Sequence, residues 1–110
     1  MKVDYERETQ VSEVVVRETY NPGAIIRVTA LLPGGEETLL WDGEEPPAQA
    51  PVDRSFPAMH SKVVAKSIKI YLDTKKVPGW NEIDAVELIG ADGSRQWATG
   101  ASASSTYAEP

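Results

Sequence analysis

Cysteine is absent from this 110-residue sequence, and histidine and phenylalanine occur once each. Lacking thiols, the chain has no nucleophilic cysteine, no cysteine-ligated zinc and no disulfide. The lack leaves its compartment open. The lone His60 has no nucleophile and orienting acid around it, and Ser55 and Ser61 sit in no nucleophile-elbow motif. His60 therefore reads as a solvated loop residue. No apolar run approaches the ~20 residues of a membrane-spanning helix. The first seven residues are charged throughout and hold no signal-peptide core; Met1 beside an immediate strand-like start suggests a trimmed or processed form, so the lack of a signal says little about secretion. Helical periodicity is missing as well.

Clustered positive charge is also lacking. Eleven basic residues face seventeen acidic ones, a formal net of -6. The densest basic groups are Lys62, Lys66 and Lys69, then Lys75 and Lys76. A nucleic-acid ligand needs a concentrated basic patch to displace phosphate counterions, so no nucleic-acid partner is expected. Anionic membrane surfaces are disfavoured by the same sign argument. The Gly34-Gly35 pair reads as a turn, since the phosphate-loop pattern is missing.

What remains is ordinary globular composition, 41% apolar and 25% charged, patterned with a period of two. Val14, Val15 and Val16 belong to a β-branched run ending at Tyr20, and Asn21-Pro22-Gly23 punctuates it. Ile26, Val28, Ala30 and Leu32 fall on one face of the next strand, with Arg27 and Thr29 on the other. Pro33-Gly34-Gly35 reverses the chain into a return strand over Thr38 to Trp41. The stretch Glu44 to Val52 carries Pro46, Pro47 and Pro51, so it reads as a surface loop rather than a central strand. Ser55 to His60 reads as a short edge strand broken by Pro57.

Ala65 to Leu72 is the cleanest strand, with Ile68, Ile70 and Leu72 inward and Lys69 and Tyr71 outward. After a turn at Pro78-Gly79, Ile83 to Ile89 returns, and Gly90-Ala91-Asp92-Gly93 leads as a hairpin turn into Arg95 to Thr99. About seven short strands with regular punctuation predict an all-β antiparallel sandwich or jelly roll over residues 1–99. Residues 100–110, rich in Ala, Ser and Thr, read either as a frayed tail or as a further strand.

Two stretches resemble a known superfamily. They are Val16-Arg17-Glu18-Thr19-Tyr20-Asn21-Pro22-Gly23-Ala24-Ile25 and Val77-Pro78-Gly79-Trp80-Asn81-Glu82-Ile83-Asp84-Ala85-Val86-Glu87-Leu88-Ile89-Gly90. Both resemble discoidin, or coagulation-factor type C, domains of the galactose-binding-like class, a likeness covering roughly Lys2 to Thr99. It implies an eight-stranded antiparallel jelly roll, an extracellular or cell-surface location, and a role in adhesion or carbohydrate binding. It implies no catalytic residues. Ligand contacts in such domains come from loop tips, and some members bind a structural calcium. One departure stands out. Such domains begin with an Ala-, Ser- and Thr-rich strand that is missing ahead of Lys2, whereas Ala101 to Tyr107 looks like that strand at the wrong end. Either the chain is cut from a tandem array or its strand order is permuted.

Strand alternation puts Glu82 and Asp84 on the inward face with Val86 and Leu88. A buried carboxylate needs hydrogen bonds, a counter-charge or a metal. A structural network is the first reading. A calcium site at Asn81, Glu82 and Asp84 is the second, and direct ligand contact the third. Paired acids alone do not make a glycosidase, which also needs a cleft that 110 residues hardly accommodate. Trp41 and Trp97 read as core residues. Trp80, beside Pro78-Gly79, reads equally as a stacking platform or as a plug of the sandwich.

The resulting expectation is a non-catalytic binding or adhesion module for a carbohydrate or protein ligand. Its contact residues would be Tyr20, Asn21, Trp80 and Asn81, with no cofactor required and calcium the one left open. The alternative is a self-assembling subunit, a homo-oligomer or polymer. Its assembly strand, made of Ala101, Ser102, Ala103, Ser104, Ser105, Thr106 and Tyr107, would be donated to a neighbour.

Overall fold

Valines and threonines alternating with charged residues favour extended backbone over the first twenty positions, and they build an element far longer than the usual five or six residues. Strand β1 spans Lys2–Tyr20, 19 residues. The computed structural model describes residues 1–20, 22–46, 48–59, 62–73, 82–98, 100–102 and 108–109. After β1 come β2 (Ile25–Leu31), β3 (Glu37–Asp42), β4 (Val52–Pro57), β5 (Val64–Asp73), β6 (Glu82–Gly90), β7 (Arg95–Trp97), β8 (Gly100–Ser102) and β9 (Ala108–Glu109). There is no helix among the described residues.

The strands form one sheet in the order β3-β2-β5-β1-β6-β7, with β4 and β8 also pairing β1 and β9 pairing β5. Every pairing is antiparallel except the two-residue contact of β5 with β9. β1 can serve four partners because it changes neighbours along its length. Its start lies between β5 and β8, and its second half lies between β4 and β6. The change happens where residues 5–8 of β1 stand against Lys66 alone on β5. In this irregular stretch Tyr5 turns into the core, and its hydroxyl donates to the carbonyl of Val86 (3.2 Å). The Arg7 backbone is met by a side chain instead of a strand. Its N–H donates to Gln96 Oε1 (2.9 Å), and Gln96 Nε2 donates back to its carbonyl (3.0 Å).

Folding over at β1 lets the sheet enclose a single core. Val3, Val14 and Val16 of β1 meet Val28 and Ala30 of β2, Leu40 of β3, Phe56 of β4, Ile68 and Ile70 of β5, and Val86 and Leu88 of β6. Ala58 N–H donates to the Ser12 carbonyl (2.9 Å), extending the β1–β4 pairing, and Met59 N–H reaches the Leu40 carbonyl of β3 (2.6 Å), so the chain after β4 also meets the β3 edge. Trp41 packs edge-on against Phe56, with ring centroids 4.6 Å apart.

Two turns follow their residue chemistry. Gly90 N–H donates to the Ser94 carbonyl (2.8 Å) and Gly93 N–H to that of Gly90 (3.0 Å). Gly93 takes φ +85°, a conformation that glycine adopts freely. The reversal at Pro33 to Gly35 is closed by Leu32 N–H to Glu36 O and Gly35 N–H to Leu32 O.

One inward assignment needs correction. Ile25, not Ile26, enters the core, and Leu32 is only half-buried. The β2–β5 register shifts between Ile25 and Arg27, and one extra residue moves every earlier side chain to the other face. At Val28 and Ala30 the expected phase holds.

Truncating a fully buried residue of the core tests this arrangement. Ile68→Ala should lower the unfolding free energy by about 2–5 kcal/mol. Urea titration should show the midpoint falling with the slope unchanged.

Candidate binding face

Three of the loop-tip residues expected to contact ligand, Asn21, Trp80 and Asn81, lie outside the described residues, as do Ala103, Ser104, Ser105, Thr106 and Tyr107. Tyr20 closes β1 with its backbone paired to Glu82. Ala101 and Ser102 lie in β8, paired with Val3 and Lys2 of the same chain.

Asp84 is not inward, as alternation had implied; it is exposed. The reason is a shift in the β1–β6 register, in which Arg17 pairs Ala85 while Glu18 pairs Ile83. Asp84 is the extra residue, thrown outward, and Ile83 packs against the core in its place. Among the described residues no group of three or more His, Cys, Asp or Glu side chains is placed to hold a metal.

The buried acids are others. Glu18 continues the inward row of Val14 and Val16 and is 0% exposed. Glu45, 1% exposed, comes from the proline-rich segment expected to be a surface loop. Its Oε1 accepts from Gly23 N–H (3.0 Å) and Ile25 N–H (3.1 Å). Its Oε2 lies 2.9 Å from Arg54 Nε, a charge contact rather than an aligned hydrogen bond. Arg54 also donates to the Pro46 carbonyl. This pair straps the Glu44–Val52 segment to the start of β2. Gly23, at φ +116°, brings its N–H to the carboxylate.

Outside the core, the β3-β2-β5 surface carries a polar ladder. Glu37 Oε1 accepts from Thr29 Oγ1 (2.8 Å) and from the Tyr71 hydroxyl (2.5 Å), while Oε2 accepts from Lys69 Nζ (3.3 Å). Arg27 stacks over the Tyr71 ring at 5.1 Å. Partial burial pushes the Glu37 carboxyl up, but the three donors and the Lys69 charge outweigh it and hold the group below its ordinary range.

The other outer surface, on β4-β1-β6-β7, has a different character. Trp97, expected in the core, is 60% exposed. Strand β7 is a short edge whose inward position is taken by Gln96, so alternation turns Arg95 and Trp97 outward together. Pairing lays the face out in rows. Trp97 stands beside Glu87, then Val15, then Ser55; Arg95 beside Ile89, Glu13 and Pro57; Ala85 beside Arg17 and Asp53.

Its charges are joined across strands. Arg95 Nη1 donates to Glu87 Oε1 (3.0 Å), Arg17 Nη1 to Asp53 Oδ1 (3.1 Å), and Ser55 Oγ to Glu13. Glu87 is 7% exposed. Its charge adds to burial in pushing the Tyr5 phenol well above the ordinary tyrosine range.

No protein-family model matches the chain, and comparison with curated proteins and with solved structures returns no match.

Two measurements test the buried and surface carboxylates. Glu45→Ala strips the counter-charge from Arg54 and the acceptor from two buried N–H groups, and should cost about 3–5 kcal/mol in urea unfolding. Glu37, with its lowered folded value, adds stability that is present above the ordinary glutamate range near 4.5. That stability is lost as pH falls through the lowered folded value. Glu37→Gln should flatten the acid limb of the stability–pH curve below about pH 4.5 and leave the limb near neutrality parallel to wild type.

Proposed function

We propose that this chain is a non-catalytic binding module, extracellular or at the cell surface. Its carbohydrate or protein ligand lies on the outer face of β4-β1-β6-β7. The observation that carries this reading is the exposed Trp97 indole, held on a sheet face among cross-strand polar pairs. A large aromatic left in water on a rigid scaffold is a costly surface that binding sites exploit, because two torsions deliver much contact area at little entropic cost. The galactose-binding-like jelly-roll kinship belongs to the same proposal. A predominantly antiparallel sheet around one core is compatible with it, and binding without catalysis is the role it implies. Here, though, the contact residue is on a strand face rather than at a loop tip.

Retention of the labelled protein on arrays of glycans and of extracellular proteins tests the reading. Trp97→Ala should abolish the bound signal while shifting unfolding by no more than about 0.5 kcal/mol, as expected for a surface substitution. Undiminished binding by this variant would remove the face from consideration.

A further inference from the structure

We infer that the ligand of this face is a neutral glycan, with one pyranose ring lying flat on the Trp97 indole. The inference rests on the proposed reading of the β4-β1-β6-β7 surface as the binding face. Its first ground is shape. The Trp97–Glu87–Val15–Ser55 row crosses four strands, and three gaps of about 4.8 Å make it about 14 Å long. Along that line an aromatic ring is followed by a carboxylate, a small aliphatic group and a hydroxyl. A sugar presents the complementary sequence, an apolar C–H face that suits the negative face of an indole and hydroxyls at its rim.

The second ground is charge. Arg95 is bonded to Glu87 and Arg17 to Asp53. Each cation on this face is thus already balanced by a carboxylate, with the Glu87 side chain only 9% exposed against 63% for Arg95. An acidic group would meet a neutralised guanidinium beside further acids, whereas hydroxyl groups bring no charge to repel. A paired carboxylate keeps lone pairs free, a guanidinium keeps donors free, and a vicinal diol can both accept and donate. The chain's net charge of -6 adds long-range repulsion against polyanions.

The third ground is composition. Protein interfaces are depleted of charge at their centre, whereas here the exposed indole stands beside the Arg95–Glu87 pair, with Arg17–Asp53 in the neighbouring row.

Calorimetric titration with defined hexasaccharides tests the inference. The neutral set is β-1,4-linked glucan, mannan, xylan and galactan; the acidic set is oligogalacturonate and a heparin-derived hexamer. At least one neutral hexamer should bind, with affinity little changed between low and high salt. Trp97→Ala should weaken it by about tenfold or more, and Trp97→Phe by less. Circular dichroism confirms that each variant retains its strand signal.

Acidic hexamers should fail to bind. Binding of an acidic hexamer that is lost in Trp97→Ala and weakened by salt overturns the neutral class but leaves the face standing. So does a wholly silent panel alongside a protein ligand that Trp97→Ala releases. Neutral binding that survives Trp97→Ala overturns both the ligand class and the face.

Discussion

A β-strand has only two edges, and β1 needs four neighbours. It meets that constraint by spending its edges twice, first on β5 and β8 and then on β4 and β6, with an irregular stretch at residues 5–8 between the two halves. Backbone groups released in such a stretch would cost free energy if left buried without partners. The primary amide of Gln96 supplies one donor and one acceptor to Arg7, substituting for a missing strand. The same stretch turns Tyr5 into the interior, where its hydroxyl reaches β6. Enclosure of one core by one sheet depends on this bend.

Polar groups do different work in different places. Inside, Glu45 and Arg54 bind a proline-rich segment to the beginning of β2. A buried ion pair of this kind is weak evidence for stability, but the Glu45 carboxylate also bonds the Gly23 and Ile25 N–H groups and so ties the segment to β2. Outside, the β3-β2-β5 surface gathers its donors onto one carboxylate, Glu37. The β4-β1-β6-β7 surface instead distributes its polar groups in cross-strand pairs and leaves an aromatic ring uncovered. The first arrangement is closed on itself. The second keeps bonding capacity facing solvent.

Much of this was legible from alternation and turn chemistry. The β2–β3 hairpin, β5, β6 and the Asp92-Gly93 turn sit where period two and punctuation put them. Bulges defeated the pattern. Ile25 replaced Ile26 and Asp84 left the interior, because one added residue reverses every face beyond it and nothing in local sequence marks the addition. Glu18 was within reach, since it extends the row of Val14 and Val16 by the same rule. Glu45 was not, because its burial comes from partners some twenty positions upstream. Trp97 was misjudged by residue type. Hydrophobicity argued for the core, whereas the decisive fact was that its neighbour Gln96 held the inward position.

The Gln96 clamp also bears on how the chain reaches its native state. Its two bonds join positions 89 apart in sequence, so every strand from β1 to β7 must have been made before they can form. Non-local pairings of this kind defer their reward until long loops have closed, and domains dominated by them fold in about milliseconds to seconds. During synthesis β1 is therefore made well before its last partners, and part of its edge stays bare until β6 and β7 follow.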